Sequence, residues 1–192
     1  MGRWEPNARL RLVRSAIDLC CEQGYDATTV AQIAERAGLT KATFFRHFPD
    51  KREVLFAGQE EHSALLAEGI RSAPANASPL DAVAAGLTTL AASFTSEQRE
   101  FGPRLRAALA GSTELQERDA LKNVGLADAA TAALVARGVP DPTAQLAGEM
   151  GVLAFKRAYT QWSETDKDDA TRLTQHALAA LQDLRTATAS LD

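Results

Sequence analysis

The sequence predicts an all-α fold. Apolar residues recur every three or four positions along most of the chain, the spacing of one helix face. Glycine and proline stand between those segments, and alanine is abundant within them. A hydrophobic content of 45% supplies a core, and 192 residues allow one large domain or two small ones that share packing. The net charge of −4 argues against a uniformly basic nucleic-acid binder. The charge is unevenly spread: residues 1–56 hold nine Lys/Arg against seven Asp/Glu, and residues 57–192 hold twelve against eighteen. A slightly basic head on an acidic body suits nucleic-acid contact at one end.

Residues 1–8 read as an arm, either mobile or able to place Arg3 in a minor groove. A first helix spans Ala8 to Gln23, with Leu10, Val13, Ile17 and Cys20 in step, and Gly24 ends it. Arg9, Arg11 and Arg14 fall on its other faces, as solvated charge or as one phosphate contact. Thr29 is an N-cap and opens a second helix in which Val30, Ile33, Ala34 and Ala37 share a face. Gly38 ends that helix by taking a left-handed backbone, and Leu39 plugs the corner. Thr40 caps a third helix, Lys41 to about His47, which Pro49 stops. Asp50 caps a fourth, Lys51 to about Ser72, carrying Val54, Leu55, Leu65, Leu66 and Ile70. Residues 72–79 form a loop.

Ser78, with Pro79 at the first helical position, starts a helix to about Ser96 whose stripe is Leu80, Val83, Leu87, Leu90 and Phe94. A short helix runs from Pro103 to Ala110. Another spans Thr113 to Arg137 on Leu115, Leu121, Val124, Ala130 and Leu134, and Gly138 ends it. Asp141 and Pro142 open a helix to about Trp162, with Leu146, Met150, Leu153, Phe155 and Tyr159 along it, and Thr165 caps a last one, about Asp166 to Ala187. Gly148 and Gly151 thin one face of the penultimate helix, where small residues let helices approach closely. The last two helices either pack only within the monomer or join a second copy in a four-helix interface.

Two short helices joined by a Gly-containing turn form the helix-turn-helix signature. Phe44 and Phe48, four apart, can both face the core. Phe44 and Phe45 are adjacent and cannot, which leaves Phe45 partly exposed. A basic residue, two threonines, a histidine and an exposed aromatic crowd one short helix, as a recognition helix in a major groove requires.

The stretch GYDATTVAQIAERAGLTKATFFRHFPDKREVLF, Gly24 to Phe56, resembles the DNA-binding head of the TetR/AcrR family of transcriptional regulators, a likeness that runs from about Arg9 to Phe56. It implies nine or ten helices. An N-terminal three-helix helix-turn-helix domain, residues 1–50, would be joined by a long helix to a C-terminal helical ligand-binding and dimerisation domain, residues 51–192. The implied function is a ligand-responsive regulator, usually a repressor. It binds a palindromic operator in double-stranded DNA as a homodimer, paired through helices 142–162 and 166–187, and a small hydrophobic effector releases it.

The same likeness places Thr29, Thr40 and Lys51 on phosphates, contacts that set register without reading sequence. It places Lys41 and Thr43 on base edges, His47 on a phosphate, and Arg46 on a phosphate or in solvent. Phe45 stands where the family usually has tyrosine. Without that hydroxyl it meets a thymine methyl or packs along the sugar backbone. Cys20 stands where the family usually has a large aromatic and reads as a small buried hydrophobe, which leaves Cys21 as the more reactive thiol. An apolar effector pocket is expected among the helices of residues 51–162, with Phe94, Phe101, Met150, Phe155, Tyr159 and Trp162 as lining candidates.

No cofactor and no metal are expected. His47, His62 and His176 are scattered, and the chain has no zincin motif, phosphate loop, nucleophile elbow or CxxC pair, so an enzyme reading has nothing to stand on. Glu60, Glu61 and His62 read as a solvated face, with a pocket or metal role for His62 as the alternative. A helical interaction protein without DNA binding is the other rival, opposed by the intact Thr40, Lys41, Thr43, His47 and Lys51 set. Cys20 and Cys21 are adjacent and cannot form an ordinary disulfide with each other. With no other cysteine, that fits a reducing cytoplasm. No apolar run is long enough to span a membrane, and residues 1–14 lack the apolar core of a signal peptide. The Met-Gly start has Pro6 where a myristoylation signal needs a hydroxyl. A cytoplasmic location is expected.

Overall fold

The computed structural model describes residues 7–164 and 173–191. Arg3, the Thr165 cap and the first residues of the expected last helix lie outside them. Among the described residues the fold is all-helical, with nine helices. They are α1 (Ala8–Gln23), α2 (Val30–Arg36), α3 (Lys41–His47), α4 (Gln59–Arg71), α5 (Pro79–Ala91), α6 (Ser96–Ala110), α7 (Thr113–Ala136), α8 (Asp141–Glu164) and α9 (Leu173–Ala189). An N-terminal helix-turn-helix precedes a C-terminal helical domain, as the sequence predicts.

Three element boundaries differ from expectation. The fourth helix starts at Gln59, not Lys51. Asp50 does cap, its Oδ1 accepting from the Glu53 amide at 2.9 Å, but tight i→i+3 turns follow, from Leu55 N to Arg52 O at 3.1 Å and Phe56 N to Glu53 O at 3.2 Å. These turns bury Val54, Leu55 and Phe56 consecutively, which no single helix face can do. Gly58, at φ 91°, separates them from α4. The expected long connecting helix is therefore a run of turns followed by the shorter α4. The expected start at Pro103 is also displaced, because α6 begins at Ser96 behind a capping box. There the Gln98 amide donates to Thr95 Oγ1 at 3.3 Å and the Thr95 amide to Gln98 Oε1 at 2.9 Å. Pro103 then sits inside the helix. Finally, α5 stops at Ala91, five residues before the expected end at Ser96.

The packing divides the chain into two compact units, residues 1–57 with 103–119, and residues 58–102 with 120–192. The division after Ala57 differs from the expected domain boundary at residue 50, because the buried Val54–Phe56 run goes with the head.

In the first unit, α2 and α3 have seven residues each, too few to persist alone. They hold through their caps and through Ile33 and Phe44, both fully buried. Leu12, Ala16, Ile17, Leu19 and Cys20 form the buried face of α1. Leu10 and Val13, expected there, are half-buried.

In the second unit Leu66, Ile70, Leu87, Leu90, Leu134 and Trp162 are among the largest fully buried side chains. Each contributes about 1.5–3 kcal/mol of apolar burial. α4 and α5 cross where Gly69 meets Gly86: a Cβ on Gly69 would lie 2.7 Å from the Gly86 Cα and 2.8 Å from the Ala85 carbonyl oxygen. Gly148 and Gly151 of α8 serve the same purpose inside the chain. A Cβ at Gly148 would stand 3.1 Å from the Ala127 carbonyl oxygen, and one at Gly151 2.7 Å from Val83 Cγ1. These glycines thus thin the inner face of α8. Leu146 and Leu153, expected in its stripe, are 59% and 42% exposed, and Leu121 and Val124 of α7 are 64% and 53% exposed.

The glycine crossing yields a pair of expected outcomes. Gly69→Ala gains up to about 1 kcal/mol of helix propensity but pushes two backbones apart, so it should lower the urea-unfolding free energy by about 1–3 kcal/mol. Gly125→Ala in α7, whose Cβ would meet only Gln59 Nε2 at 3.7 Å, should be neutral or stabilising. An unchanged midpoint for Gly69→Ala would contradict the crossing.

Candidate nucleic-acid interface

The turn between α2 and α3 is built from both sides. The Thr29 hydroxyl accepts from the Gln32 amide at 3.3 Å, and Gln32 Oε1 accepts from the Thr29 amide at 2.9 Å. This capping box fixes the start of α2. Its end is a Schellman arrangement: the Leu39 amide reaches the Ala34 carbonyl at 2.8 Å and the Gly38 amide the Glu35 carbonyl at 2.9 Å. Gly38 sits at φ 66°, the left-handed backbone that glycine takes without steric cost. The Arg11 guanidinium of α1 donates to the Ala37 carbonyl. A Cβ on Gly38 would come within 2.7 Å of Arg11 Nη2, so any other residue there would displace the guanidinium as well as strain the backbone. Arg11 is thus engaged with the C-cap carbonyl of α2, where a cation also suits the helix dipole. Arg9 places its guanidinium 5.3 Å from the centroid of the Phe48 ring.

Thr40 caps α3, its Oγ1 accepting from the Thr43 amide at 3.1 Å. The Thr43 hydroxyl lies 3.0 Å from the Thr40 hydroxyl, so the two bond to each other. Phe44 is fully buried and Phe48 nearly so, with centroids 5.7 Å apart. Phe45 is 56% exposed. Thr29, Thr40, Lys41, Phe45 and Arg46 are exposed, and Thr43, His47 and Lys51 half-buried. Among the described residues, the side chains of Lys41 and Arg46 make no ion pair and no hydrogen bond. Arg36, by contrast, pairs with Glu22 at 2.7 Å. Ala42, which sequence reasoning passed over, is exposed at the centre of this face. Its position follows from counting about 100° per residue from Phe44 and Phe48.

Lys51 is not at a helix start. Its Nζ donates to the Tyr25 carbonyl at 2.7 Å and lies 3.8 Å from the centroid of the Tyr25 ring. Two of its three donors remain for other acceptors. The Tyr25 hydroxyl donates to Glu114 Oε1 at 3.2 Å. Burial first, and then the Glu114 carboxylate, push this hydroxyl's pKa above its usual value. Segment 103–119 is tied to the head elsewhere too. Arg118 forms a two-point bond to Glu53, at 2.9 and 3.2 Å, Arg104 pairs with Asp18 at 2.6 Å, and Cys21 Sγ donates to the Arg104 carbonyl at 3.3 Å. Cys20 is buried, and burial raises its thiol pKa.

In the second unit, four of the six expected pocket residues share an aromatic cluster. Phe94 lies 5.4 Å from Phe155, 5.6 Å from Tyr159 and 6.3 Å from Trp162 between ring centroids. His62, expected on a solvated face, stacks on Phe94 at 4.7 Å. The Tyr159 hydroxyl donates to the Gln98 carbonyl at 3.0 Å. Among the described residues the Trp162 indole N–H and Gln59 Oε1 are buried without a hydrogen-bond partner. Met150 belongs to the main core, as does the fully buried Trp162; Phe94, Phe155 and Tyr159 pack against that core, and Phe101 is buried outside it. Among the described residues no group of acidic, histidine or cysteine side chains could hold a metal ion, and no helix is long and apolar enough to cross a membrane.

Residues 12–57 match the profile of bacterial regulatory proteins of the tetR family. The transcriptional regulator TcmR of Streptomyces glaucescens is 39% identical over 75 residues, 39% of this chain and 33% of that protein. The class A tetracycline repressor of transposon 1721 in Escherichia coli is 38% identical over 68 residues, 35% of this chain and 29% of that protein. The match thus spans about a third of the length of these relatives. Whole-chain likeness comes from solved structures and concerns the fold. Thermus thermophilus FadR in complex with lauroyl-CoA has a TM-score of 0.52 at 21% identity, covering 91% of each chain. The SmeT–triclosan complex has 0.58 at 19%, covering 94% of this chain and 90% of the other.

The raised Tyr25 pKa has a stability consequence. The unfolded chain releases this proton near pH 10.0 and the folded one later, so stability is retained below that pH and declines as pH rises above it. Tyr25→Phe should flatten the alkaline decline in melting temperature. An identical decline in both proteins would contradict the burial of that hydroxyl against Glu114.

Proposed function

We propose that this chain, which belongs by its head to the TetR family of bacterial regulatory proteins, is a cytoplasmic, homodimeric repressor. It binds a near-palindromic operator and is released by a small hydrophobic effector. One observation carries the reading: a turn locked by Gly38 and Arg11 holds out a short helix on which Lys41 and Arg46 are exposed with no ion pair or hydrogen bond among the described residues. Thr29, Thr40, His47 and Lys51 take phosphates, Lys41 and Thr43 take base edges, and Arg46 reaches into the groove from the side turned furthest from the core. The rival reading, an interaction protein without DNA binding, gives no reason to leave these cations uncompensated.

The effector site is assigned to the cluster of Phe94, Phe155, Tyr159 and Trp162 with His62. Its rings offer apolar faces, and the buried Trp162 N–H has no acceptor among the described residues. FadR and SmeT, alike in fold, were solved with lauroyl-CoA and triclosan. Phe101 and Met150 are dropped from the lining. Pairing of two copies uses the outer faces of α8 and α9, where Leu146, Leu153 and Leu178 remain exposed at 59%, 42% and 37%. A closed two-fold pair is the common solution for such a patch and puts two recognition helices on one duplex.

Two experiments test this. In fluorescence anisotropy with DNA from upstream of the protein's own reading frame, Lys51→Ala should weaken binding to all duplexes and flatten the salt dependence. Lys41→Ala should cost about 1–3 kcal/mol on the specific site alone. Equal losses on specific and random DNA for both would refute the division of roles. In sedimentation, the double variant Leu146→Glu, Leu153→Glu should run as a 20.5 kDa monomer with its helical signal intact. A persistent dimer would place the interface elsewhere.

A further inference from the structure

The outward side of α3 is not uniformly polar. At about 100° per residue, Ala42 and Arg46 lie opposite the buried Phe44 and Phe48. Lys41 and Phe45 occupy one flank, Thr43 and His47 the other. Ala42 and Phe45 are exposed and three positions apart, hence neighbours on the helix surface. Together they make a small methyl-and-phenyl patch framed by Lys41, Thr43 and Arg46. The phenyl is held in place, because Phe45 stands edge-on to the fully buried Phe44, centroids 5.5 Å apart at 82°.

The cationic frame is complementary to a polyanion, but the patch inside it offers no hydrogen bond. The apolar group that major-groove base edges present is the C5 methyl of thymine. Ala42 decides between base and sugar as the place for the ring. The Ala42 side chain is a single methyl, so beside Phe45 no long side chain stands between the helix and a groove floor, and the longer Arg46 extends on the far side of Ala42 from the phenyl.

We propose that Ala42 and Phe45 are the residues by which this protein reads thymine, each half-site carrying at least one thymine whose methyl lies against the Phe45 ring and the Ala42 methyl. The assignment rests on α3 being the recognition helix and adds a base identity to it.

The test begins with duplexes that the full-length protein selects from a random pool. Each thymine of the consensus half-site is then replaced by 2′-deoxyuridine, which lacks only the C5 methyl, and affinity is read by anisotropy. At least one replacement per half-site should cost about fourfold, the transfer value of one methyl. Phe45→Ala, which should stay folded with at most a small drop in melting temperature because the ring's contact in the fold is its edge-on packing with Phe44, should bind the thymine duplex about tenfold more weakly and no longer distinguish thymine from deoxyuridine. Three results overturn the assignment: a consensus without thymine, unchanged wild-type affinity at every deoxyuridine position, or equal thymine-to-uridine discrimination in wild type and Phe45→Ala. Failure of the wild-type protein to select any duplex would instead remove the recognition-helix reading, and this assignment with it.

Discussion

The burial of Phe44 is the constraint on which the head depends. Its side chain is fully excluded from water, and truncating such a residue typically costs about 3–5 kcal/mol. That fixes the rotation of α3 about its own axis. Phe45, the next residue, must then face solvent, and Ala42 and Arg46 must point away from the core. Gly38 and Arg11 fix the angle at which α3 leaves the turn. A seven-residue helix has too little internal stability to hold an orientation, so its direction is borrowed from the buried ring at one end and the glycine turn at the other.

Much of this was legible in the sequence, and the reasons differ by element. Thr29, Gly38 and Thr40 announce themselves because capping and left-handed turns demand particular residue types. The split between Phe44 and Phe45 follows from adjacency alone. The start of α4 was not legible: Asp50 signals a cap whether a helix or a run of tight turns follows, and only the burial of Val54, Leu55 and Phe56 in succession separates the two. Pro103 misled because proline favours a first helical turn, yet the Thr95–Gln98 box upstream was a readable signal. Gly148 and Gly151 were correctly read as sites of close approach, but the neighbours they approach, Ala127 and Val83, lie in the same chain. Periodicity likewise could not tell that Leu121, Leu146 and Leu153 face outward, because an apolar stripe does not say which element covers it.

Lys51 shows why a residue type at the right position is only half an assignment. Its Nζ is engaged by the Tyr25 carbonyl and ring, and the same Tyr25 holds Glu114 through its hydroxyl. A proposed phosphate ligand and a residue of α7 therefore meet on one side chain. Arg118 and Glu53 make a second tie between the same segments. Since α6 and α7 run on beyond residues 103–119 into the second unit, the chain itself supplies a covalent route from the proposed effector cluster to these ties. Coupling on the order of 1–3 kcal/mol would suffice for an effector-driven release.

The central claim is that the side of α3 bearing Ala42 and Arg46 meets the bases of a duplex, twice, in a symmetric pair. Crosslinking from a photoreactive side chain at position 46 tests it most directly, with full-length protein on a duplex it has itself selected. The proposed recognition-helix role in a two-fold pair predicts crosslinks to bases at two positions about one helical turn, roughly 34–36 Å, apart. Undiminished binding without any base crosslink from position 46 would contradict it.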